Sequence, residues 1–354
     1  MAIIITDEDV KKNLSMRECI EAMRVAFRDY ALGKAKTLPR ARYRSETPDP
    51  SREYFANVHI GAVPSYGMAC VRAGSQLLLK TGDTPGRKIL SNFDPVNWTV
   101  IILYDLATAE PLAFIHESYL SGFRVGATTG AAMDSIARDE VEVLGVFGTG
   151  RQARANCEAI CCVRPSIKRV KVFSPNAEHR ATFVNNVTLE NVEVIPVETP
   201  KEVVKDSEII CCATNTTQPV FDGNLLEKGQ VVISIANSDV TAKRHEVDET
   251  TFAQADAIIV NDWQSVETNQ QTELLSPISK QLVDKNSVYE LGNLFAGKVK
   301  LSQNDDRIIY YKNNTGLGMQ FAAAGAIIYE KMKGNKTNRE IPRDWLASED
   351  YSQS

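Results

Sequence analysis

Residues 144–155, LGVFGTGRQARA, have the residue types and spacing of a turn that binds the phosphates of a dinucleotide. Gly148 permits a tight turn after an apolar strand, Gly150 lets a pyrophosphate approach the backbone, and Ala153 lets the next helix pack closely. The N–H groups at the start of that helix would then face the phosphate charge. A tight turn without a ligand is the alternative. The predicted cofactor contacts in this turn are Gly148, Thr149, Gly150, Arg151 and Gln152.

The residues after the next predicted strand, RVKVFS, bear on the choice between NAD and NADP. An acid at this position usually binds the ribose 2′-hydroxyl, whereas small polar and basic groups accommodate a 2′-phosphate. Here Ser174 stands in place of the acid, and Asn176 and Arg180 follow it. We therefore expect these three residues to contact the cofactor and to favour NADP over NAD. The alternative is that Arg180 is only a solvent-exposed helix residue.

Several arginines are placed where they could hold a carboxylate. Arg40, Arg42 and Arg44 occupy alternate positions, so a strand would present all three on one face. Arg72 and Arg124 stand among apolar or small residues, and a buried arginine usually pairs with an anion. Because the planar guanidinium suits a carboxylate, these side chains predict an acidic substrate. A surface charge or an internal ion pair is the alternative for each arginine.

The apolar stretch VVISIANSDV ends in polar residues, and open parallel sheets bind ligands at the carboxyl ends of their strands. Asp239 is a candidate proton carrier, because apolar surroundings raise the pKa of a carboxylate into a range suited to acid and base work. Capping of the next helix is the alternative for Asp239. Further cofactor contacts are predicted at strand ends and in the loop KNNTGLGMQF: Thr214, Asn215, Asn237, Ser238 and Gly316.

The spacing of apolar residues predicts the elements that position these groups. The segment TDEDVKKNLSMRECIEAMRVAFRDYALGKA predicts one initial amphipathic helix. Short apolar runs, ARYRS, YFANVHIGAV, MACVRAG and WTVIILYDL, then predict strands of an antiparallel or mixed sheet. From Val141 onward strands alternate with helices, which predicts a parallel, doubly wound, Rossmann-type sheet. The segment NNTGLGMQFAAAGAIIYEKMK predicts a long helix that returns to the first domain.

The length of 354 residues exceeds the usual size of one hydrophobic core, so we predict an α/β protein of two domains. The N-terminal α/β domain, expected to bind substrate and to dimerise, would span residues 1–125 and be completed by residues 311–354. The Rossmann-type domain would span residues 126–310.

Composition narrows the range of partners. A formal charge of -5 gives no electrostatic reason to expect nucleic acid. The seven cysteines lack metal-ligand spacing and are expected to be reduced thiols of a cytoplasmic protein. We predict no membrane span, because there is no apolar run of about 18 residues, and no metal site, because the four histidines form no ligand motif.

Five segments follow one another along the chain: VRAGS, YDLATAEPLAF, LSGFRVGATTGAA, LGVFGTGRQARA and SIANSDV. Their sequences and order resemble those of the ornithine cyclodeaminase and mu-crystallin family, over nearly the whole chain. The resemblance implies an N-terminal domain that dimerises and binds a substrate carboxylate, together with a Rossmann domain for NAD or NADP. It also implies a homodimer that acts on a small amino or imino acid.

Residue by residue, the resemblance makes Arg124 the carboxylate-binding arginine, Thr99 a residue that lines the site, and Asp239 the catalytic aspartate. Arg72 falls at or next to the family's substrate-binding lysine, and Arg40 or Arg42 falls at its first arginine. Arg72 is therefore assigned to substrate binding and catalysis. It retains the charge of lysine, but it lacks an amine that could relay protons.

These assignments imply hydride transfer between a nicotinamide cofactor and the α-carbon of an amino acid or cyclic imino acid, as in an imine reductase or an amino-acid dehydrogenase. The departures at Arg72 and at Phe321, which stands at or near an acidic position of the family, indicate a substrate other than ornithine. A cyclodeaminase that uses the cofactor without net redox change is the second hypothesis. A binding protein loaded with cofactor, without important turnover, is the third.

Overall fold

The structure of the protein, a computed structural model, describes residues 1–79, 87–88, 98–236, 238, 244–301, 306–313 and 316–348. Two predicted site residues, Asn237 and Asp239, lie outside the described residues. The strands are β1 (Ala2–Ile5), β2 (Lys36–Thr37), β3 (Ala41–Glu46), β4 (Arg52–Val63), β5 (Met68–Leu79), β6 (Arg87–Lys88), β7 (Trp98–Asp105), β8 (Pro111–His116), β9 (Val143–Phe147), β10 (Arg169–Phe173), β11 (Glu193–Pro196), β12 (Ile209–Cys212), β13 (Val231–Ser234), β14 (Ala257–Val260), β15 (Val288–Glu290), β16 (Ile309–Lys312) and β17 (Arg339–Ile341). The helices are α1 (Asp7–Asn13), α2 (Met16–Ala31), α3 (Tyr119–Ile136), α4 (Arg151–Val163), α5 (Ala177–Asn186), α6 (Pro200–Val204), α7 (Glu249–Gln254), α8 (Trp263–Thr268), α9 (Thr272–Ser279), α10 (Leu291–Phe295) and α11 (Gly318–Met332).

The N-terminal segment differs from the single amphipathic helix that its apolar spacing predicts. A short strand, β1, comes first, and the helical region is split into α1 and α2. The hydroxyl of Thr6 accepts a hydrogen bond from the N–H of Asp9, whose carboxylate accepts one from the N–H of Thr6. Ser15 and Glu18 form the same reciprocal pair. Each pair is a capping box that begins a helix, so the prediction of one helix is wrong.

The first sheet has the strand order β17-β1-β8-β7-β5-β4-β2, with β3 paired to β4 and β6 to β5. The pair β1 and β8 is parallel and the other described pairs are antiparallel, so the sheet is mixed, one of the two arrangements that the sequence predicts. Helix α11 returns from the C-terminal region and packs on β4. A Cβ atom at Gly318 would lie 2.1 Å from the carbonyl oxygen of Ile60, so glycine is what permits this contact.

The second sheet has the order β11-β10-β9-β12-β13-β16-β14-β15, and its described pairs are all parallel. Because the order reverses between β9 and β12, this is the doubly wound, Rossmann-type arrangement that the sequence predicts. The strands predicted at VEVLGVFG, RVKVFS, VEVIPV, EIICCAT, VVISIA and AIIVND correspond to β9 through β14. Strand β16, whose Tyr310 and Tyr311 are fully buried, is not among them. This strand lies between β13 and β14, out of chain order, and strand–helix alternation cannot reveal such a position.

The elements α3 and β16 cross the predicted domain boundaries. Helix α3 passes through the boundary at residue 125 and packs against both α2 and α4. A Cβ atom at Gly126 would lie 2.3 Å from the carbonyl oxygen of Ala155, so α3 and α4 are in close backbone contact. Strand β16 carries Tyr311 and Lys312 of the second sheet beyond the boundary at residue 310. Helix α3 is therefore shared by the two regions rather than ending between them.

The cysteines all lie among the described residues, where they are free thiols. Burial raises the pKa of Cys70 to about 12, which keeps that thiol protonated. Among the described helices, none is both long enough and apolar enough to cross a bilayer. Among the residues that the structure describes, no group of three or more histidine, cysteine, aspartate or glutamate side chains could hold a metal ion.

Candidate active site

The glycine-rich turn connects β9 to α4. Gly148 has a φ of 105°, and a Cβ atom there would lie 2.4 Å from the carbonyl oxygen of Ala213. Both the backbone conformation and the close packing therefore require glycine at this position. Gly150 precedes α4 without a side-chain cap, and a Cβ atom there would meet nothing within 4 Å. An uncapped helix N-terminus beside open space fits the pyrophosphate of a dinucleotide.

Arg180 lies at the end of the second Rossmann strand, next to Ser174. Its side chain is buried, and its guanidinium donates to the carbonyl oxygen of Ser174 at 2.6 Å and to a carboxylate oxygen of Glu198 at 2.5 Å. The interpretation of Arg180 as a solvent-exposed residue is therefore wrong. Asn176 caps α5 by accepting a hydrogen bond from the N–H of His179. Glu198, whose side chain is 75% exposed, is an acid at this end that the sequence analysis does not identify.

A cavity of about 350 Å³ lies between the two sheets. Residues after β9, β12 and β13 form one wall, and strands β3, β4, β5 and β7 form the other. The predicted site residues that line the cavity are Arg40, Arg42, Arg72, Thr99, Arg124, Arg151, Gln152, Thr214 and Gly316. Within the described part of the chain, the predicted cofactor contacts outside this lining are Gly148, Thr149, Gly150, Ser174, Asn176, Arg180, Asn215 and Ser238.

Strand alternation explains which side chains reach the cavity. On β4, Asn57 and His59 line the cavity, whereas Ala56 and Val58 line a groove on the opposite face of the sheet. This is the two-residue period of a strand. The same period places the three alternating arginines of LPRARYRS in the cavity lining, so the predicted common face is confirmed.

Arg124 projects from α3 and is buried. Its guanidinium donates to the Gln320 side-chain oxygen at 2.8 Å and lies over the Phe321 ring, 4.6 Å from the ring centroid. Gln320 is itself held by Thr128, to whose hydroxyl it donates at 2.7 Å. Burial lowers the pKa of Arg124 to about 10, which leaves the group cationic at neutral pH. The result is a fixed, desolvated cation whose hydrogen-bond partner is neutral.

Arg72 is engaged within the protein. It donates to one oxygen of Glu117 from Nε at 3.1 Å and from Nη2 at 2.7 Å, and its Nη1 contacts the side-chain oxygen of Asn57. The internal ion pair, one of the alternatives that the sequence leaves open, is therefore present. Glu117 is buried, and its other oxygen has no hydrogen-bond partner among the described residues. The sequence signal for Glu117 is its place immediately after the apolar strand β8, at the edge of the cavity.

His59 on β4 is a second titratable group that the sequence analysis considers only as a metal ligand. It is buried, and its ring packs edge-on against Phe321 at 5.5 Å between centroids. Burial lowers the pKa of His59 well below its usual value, and the positive charges of Arg72 and Arg40 lower it further. His59 is therefore a neutral imidazole at physiological pH.

Positive charge is concentrated along β3 and at Arg244. Burial lowers the pKa of Arg40 to about 9 and that of Arg42 to about 8, and neighbouring arginines lower both further. Arg44 forms an ion pair of 2.8 Å with Glu53. Arg244 follows β13 and lines the cavity from the Rossmann side. It has no strand or motif signal in the sequence, and the sequence analysis does not predict it.

A buried carboxylate, Glu246, holds the loops that follow β12 and β13. One of its oxygens accepts hydrogen bonds from the N–H and the hydroxyl of Thr214, at 2.6 and 2.8 Å. The other accepts from the N–H groups of Ile235 and Ala236, at 2.9 and 2.7 Å. Burial raises the pKa of Glu246, and the nearby Lys312 ammonium opposes that rise. Glu246 thus fixes the backbone of three residues in the cavity lining.

Comparisons with known proteins show the family and the fold. The sequence model of the ornithine cyclodeaminase/mu-crystallin family matches residues 2–336. The chain is 26% identical to the Δ1-pyrroline-2-carboxylate reductase of Bacillus cereus, over 93% of this chain and 96% of the relative. It is 26% identical to the alanine dehydrogenase of Archaeoglobus fulgidus, over 96% and 98%. The fold is similar to that of the Δ1-pyrroline-2-carboxylate reductase of Thermococcus litoralis, solved with NADH and L-proline, with a TM-score of 0.81, 24% identity and coverage of 96% and 100%.

Proposed function

Because the chain belongs to the ornithine cyclodeaminase/mu-crystallin family, we propose that it is an NAD(P)-dependent oxidoreductase acting on an amino acid or a cyclic imino acid. It works as an imine reductase or an amino-acid dehydrogenase. The observation that carries this proposal is the cavity between the sheets, where residues of an open helix N-terminus face buried arginines. The pyrroline-2-carboxylate reductase and alanine dehydrogenase relatives support the same reaction class.

The nicotinamide cofactor, when bound, supplies or accepts the hydride at the α-carbon of the substrate. In the proposal, the turn after β9 holds its phosphates through Gly148, Thr149, Gly150, Arg151 and Gln152. The loops after β12 and β13 and the segment before α11 contact the rest of the cofactor. The residues assigned there are Thr214, Asn215, Asn237, Ser238 and Gly316. Glu246 supports this binding by keeping two of these loops in place.

We infer that NADP is preferred over NAD. The position of the usual acid is held by Ser174, and the cation Arg180 lies beside it. The carboxylate of Glu198 occupies one side of the Arg180 guanidinium, and it would have to give way to a 2′-phosphate. Because Glu198 is largely exposed, its displacement into water costs little.

Arg124 is the proposed anchor of the substrate α-carboxylate, with Thr99 and the arginines Arg40 and Arg42 beside it. A buried guanidinium that is held in place pays no further ordering entropy when a carboxylate binds. Arg72 adds positive charge to the same wall, and its orientation is set by Glu117. We therefore assign Arg72 to substrate binding, and to catalysis through its charge rather than through proton transfer.

Asp239 is the proposed proton carrier. It lies five residues beyond the last residue of β13 in the sequence, and three residues beyond Ala236, whose N–H donates to Glu246. In oxidation its carboxylate would accept a proton from the substrate nitrogen, and in reduction it would return that proton. Positioning of the reacting groups can lower the barrier by several kcal/mol, about 7–11 at best, so the arginine wall matters as much as the acid.

The direct experiment is a spectrophotometric assay of NADPH and NADH oxidation with cyclic imines and with 2-oxo acids plus ammonia. We expect stoichiometric consumption of reduced cofactor with at least one of these substrates. Asp239→Asn should reduce turnover far more than cofactor affinity. Ammonia release from a diamino acid with only trace cofactor would favour a cyclodeaminase instead. Tight ligand binding without turnover of any substrate would favour a binding protein.

We also propose a homodimer formed through the outer face of the first sheet. On this face Trp98 is 73% exposed and Tyr43 is 58% exposed, and Tyr54 and Val100 lie in the same groove. Exposed apolar patches of this kind commonly mark protein interfaces. Light scattering should give twice the mass of the chain, and Trp98→Glu should shift the protein toward monomer. A monomeric wild type would contradict this proposal and leave the reaction untouched.

A further inference from the structure

We propose that His59 binds the α-carboxylate of the substrate together with Arg124, by donating a hydrogen bond from its Nε2–H group as a neutral imidazole. This inference rests on the proposed function, because it takes Arg124 as the anchor of that carboxylate. No assignment above gives His59 a role in binding. With it, recognition of the carboxylate depends on a neutral hydrogen bond as well as on charge.

The side chain of His59 lies on the cavity face of β4. Asn57, two residues earlier, lines the same cavity, as the two-residue period of a strand requires. Across the sheet, His59 is paired with Arg72 of β5, and directly opposite residues of an antiparallel pair lie on the same face. His59 therefore stands among the residues proposed to bind substrate.

His59 and Arg124 converge beside Gly316, which also lines the cavity. The position that a Cβ atom would take on Gly316 is 3.2 Å from Nε2 of His59 and 2.9 Å from Nη2 of Arg124. The two nitrogens thus lie near one point, although they belong to β4 and α3. Because N–H···O hydrogen bonds have lengths of about 2.9 Å, one carboxylate at this place can accept from both.

Helix α11 holds both side chains. The Phe321 ring packs edge-on against the His59 ring at 5.5 Å between centroids, and the Arg124 guanidinium lies 4.6 Å from the centroid of the same ring. The side-chain oxygen of Gln320, the residue before it, accepts a hydrogen bond from Arg124 at 2.8 Å. A carboxylate that binds here meets donors that are already ordered, so it costs little further side-chain entropy.

The surroundings keep His59 neutral. Burial lowers the pKa of His59 well below its usual value, and the charges of Arg72, Arg40, Arg124 and Arg42 lower it further. These cations act from β5, from the segment of β3 and from α3, whereas the ring that α11 packs against His59 is uncharged. Because an imidazole in this position does not readily take up a proton, His59 is a hydrogen-bond donor rather than a second proton carrier.

The burial of Nδ1 indicates which ring nitrogen carries the proton. A neutral imidazole has one N–H group and one acceptor nitrogen. Nδ1 of His59 is buried and has no hydrogen-bond partner among the described residues. Among buried main-chain groups, unpaired N–H groups are rarer than unpaired acceptors, and the same cost applies to a ring N–H. We therefore expect the proton on Nε2, on the Gly316 side, where the ligand supplies the acceptor.

Arg72, directly opposite His59, is less suited to bind the carboxylate itself. Its Nε and Nη2 donate to Glu117 at 3.1 and 2.7 Å, and its Nη1 contacts the side-chain oxygen of Asn57. Each nitrogen of this guanidinium is thus engaged within the protein. Arg72 contributes its charge to the site, whereas His59 contributes a hydrogen bond.

Nitrogen NMR of protein with isotope-labelled histidine side chains tests the donor without turnover. The two neutral tautomers differ in the shifts of their ring nitrogens, and the signals lost in His59→Gln identify His59. With NADP present at neutral pH, we expect the Nε2-protonated form. Pyruvate should shift its Nε2 signal, whereas pyruvamide, which lacks the carboxylate, should not. A proton on Nδ1, an imidazolium, or equal responses to the two compounds would overturn the inference.

Two substitutions separate hydrogen bonding from packing. His59→Phe keeps a ring against Phe321 but removes Nε2, whereas His59→Gln places an amide N–H near the Nε2 position. With the 2-oxo acid or cyclic imine that oxidises reduced cofactor fastest, KM should rise about 10- to 100-fold in His59→Phe, the range for a hydrogen bond to a charged group. The kcat value should change less, and KM in His59→Gln should lie closer to that of the wild type. His179→Phe, at an exposed histidine, is the matched control and should change neither.

The contrary outcomes are distinct. Equal KM values for His59→Phe and His59→Gln would assign His59 to packing, and a parallel rise of the NADPH dissociation constant would assign it to the cofactor. Either result would overturn the inference and leave the proposed reaction intact. If every 2-oxo acid and cyclic imine fails to oxidise either cofactor, the proposed function is wrong, and the NMR comparison of pyruvate with pyruvamide still decides whether His59 binds a carboxylate.

Discussion

The two walls of the cavity use different parts of the polypeptide. The Rossmann wall adds main-chain groups to its side chains: a glycine turn and an uncapped helix N-terminus lie beside Arg151 and Arg244, and Glu246 fixes the loops. The wall of the first sheet presents long charged side chains from β3, β4, β5 and α3. A main-chain surface suits a ligand that is common to many proteins, because it depends little on side-chain identity. A side-chain surface suits a ligand specific to one protein.

The walls also differ in how they handle charge. At the N-terminus of α4, a bound anion would meet helix N–H dipoles next to open space. At Arg124 and Arg42, burial has already lowered the pKa of the guanidinium groups in the free protein. The first wall therefore costs little to maintain, whereas the second contains buried positive charge that an anionic substrate would neutralise.

The largest effect should come from the buried cation of the side-chain wall. Arg124→Met removes the proposed anchor of the α-carboxylate, and truncating one partner of a buried charged pair typically costs about 2–5 kcal/mol. We expect kcat/KM to fall about 100- to 1000-fold, with the dissociation constant of NADPH changed much less. Steady-state kinetics and fluorescence titration of NADPH measure the two quantities. A parallel loss of cofactor affinity would show that the two walls do not act separately.

The two walls also differ in how far the sequence predicts them. The turn at Gly148 and Gly150 is local, so its residues and its place after β9 follow from a short motif. The alternation of the β3 arginines is local too, and it correctly predicts their common face. By contrast, Arg72 and Glu117 meet only because β5, β7 and β8 pair side by side, and such register is not visible in one sequence.

The same reasoning explains the residues that sequence analysis misses. Arg244 belongs to a segment without apolar period. Glu246 lies in HEVD, which resembles an acidic element of the family, but its contacts depend on the neighbouring ends of β12 and β13. Helix α1 and helix α2 are separated by a capping box, S-x-x-E, which is readable from sequence but overlooked when only apolar spacing is followed. Local chemistry is thus predictable, whereas contacts between distant segments require the fold.

The next largest effect is expected in the glycine turn of the Rossmann wall, where substitutions of Gly150 and Gly148 should have different consequences. Gly150→Ala places a methyl group in open space where the phosphate approaches, so it should weaken cofactor binding about tenfold. It should leave the melting temperature close to that of the wild type. Gly148→Ala meets the Ala213 carbonyl at a positive φ, so it should destabilise the fold by about 1–3 kcal/mol. Calorimetry and cofactor titration separate the two outcomes, and equal melting temperatures for both variants would contradict the assigned roles.

A smaller effect is expected from His59, the neutral imidazole in the wall that the first sheet forms. The pKa of His59 is lowered in the folded state, so below its usual pKa of about 6.5 the unfolded chain binds a proton that the folded chain does not. The free energy of unfolding therefore falls as the pH decreases, by at most about 1.4 kcal/mol per pH unit from this group. His59→Gln should flatten the decline of melting temperature between about pH 7 and pH 5. The exposed His179→Gln is the control, and identical slopes for His59→Gln and the wild type would refute the role of burial.

The smallest effect is expected at the end of the second Rossmann strand, where the side chains of Arg180 and Glu198 form an ion pair. Glu198→Gln removes the carboxylate that would compete with a 2′-phosphate for Arg180, while the amide can keep a weaker hydrogen bond. Exposed charges contribute about 0.2–1 kcal/mol, so the NADPH dissociation constant should fall about two- to fivefold. The constant for NADH, which lacks that phosphate, should change less, and the equivalent substitution at exposed Glu193 is the control. If the dissociation constants of NADPH and NADH change equally, Glu198 does not distinguish a 2′-phosphate from a 2′-hydroxyl. The choice of cofactor would then also depend on the main chain.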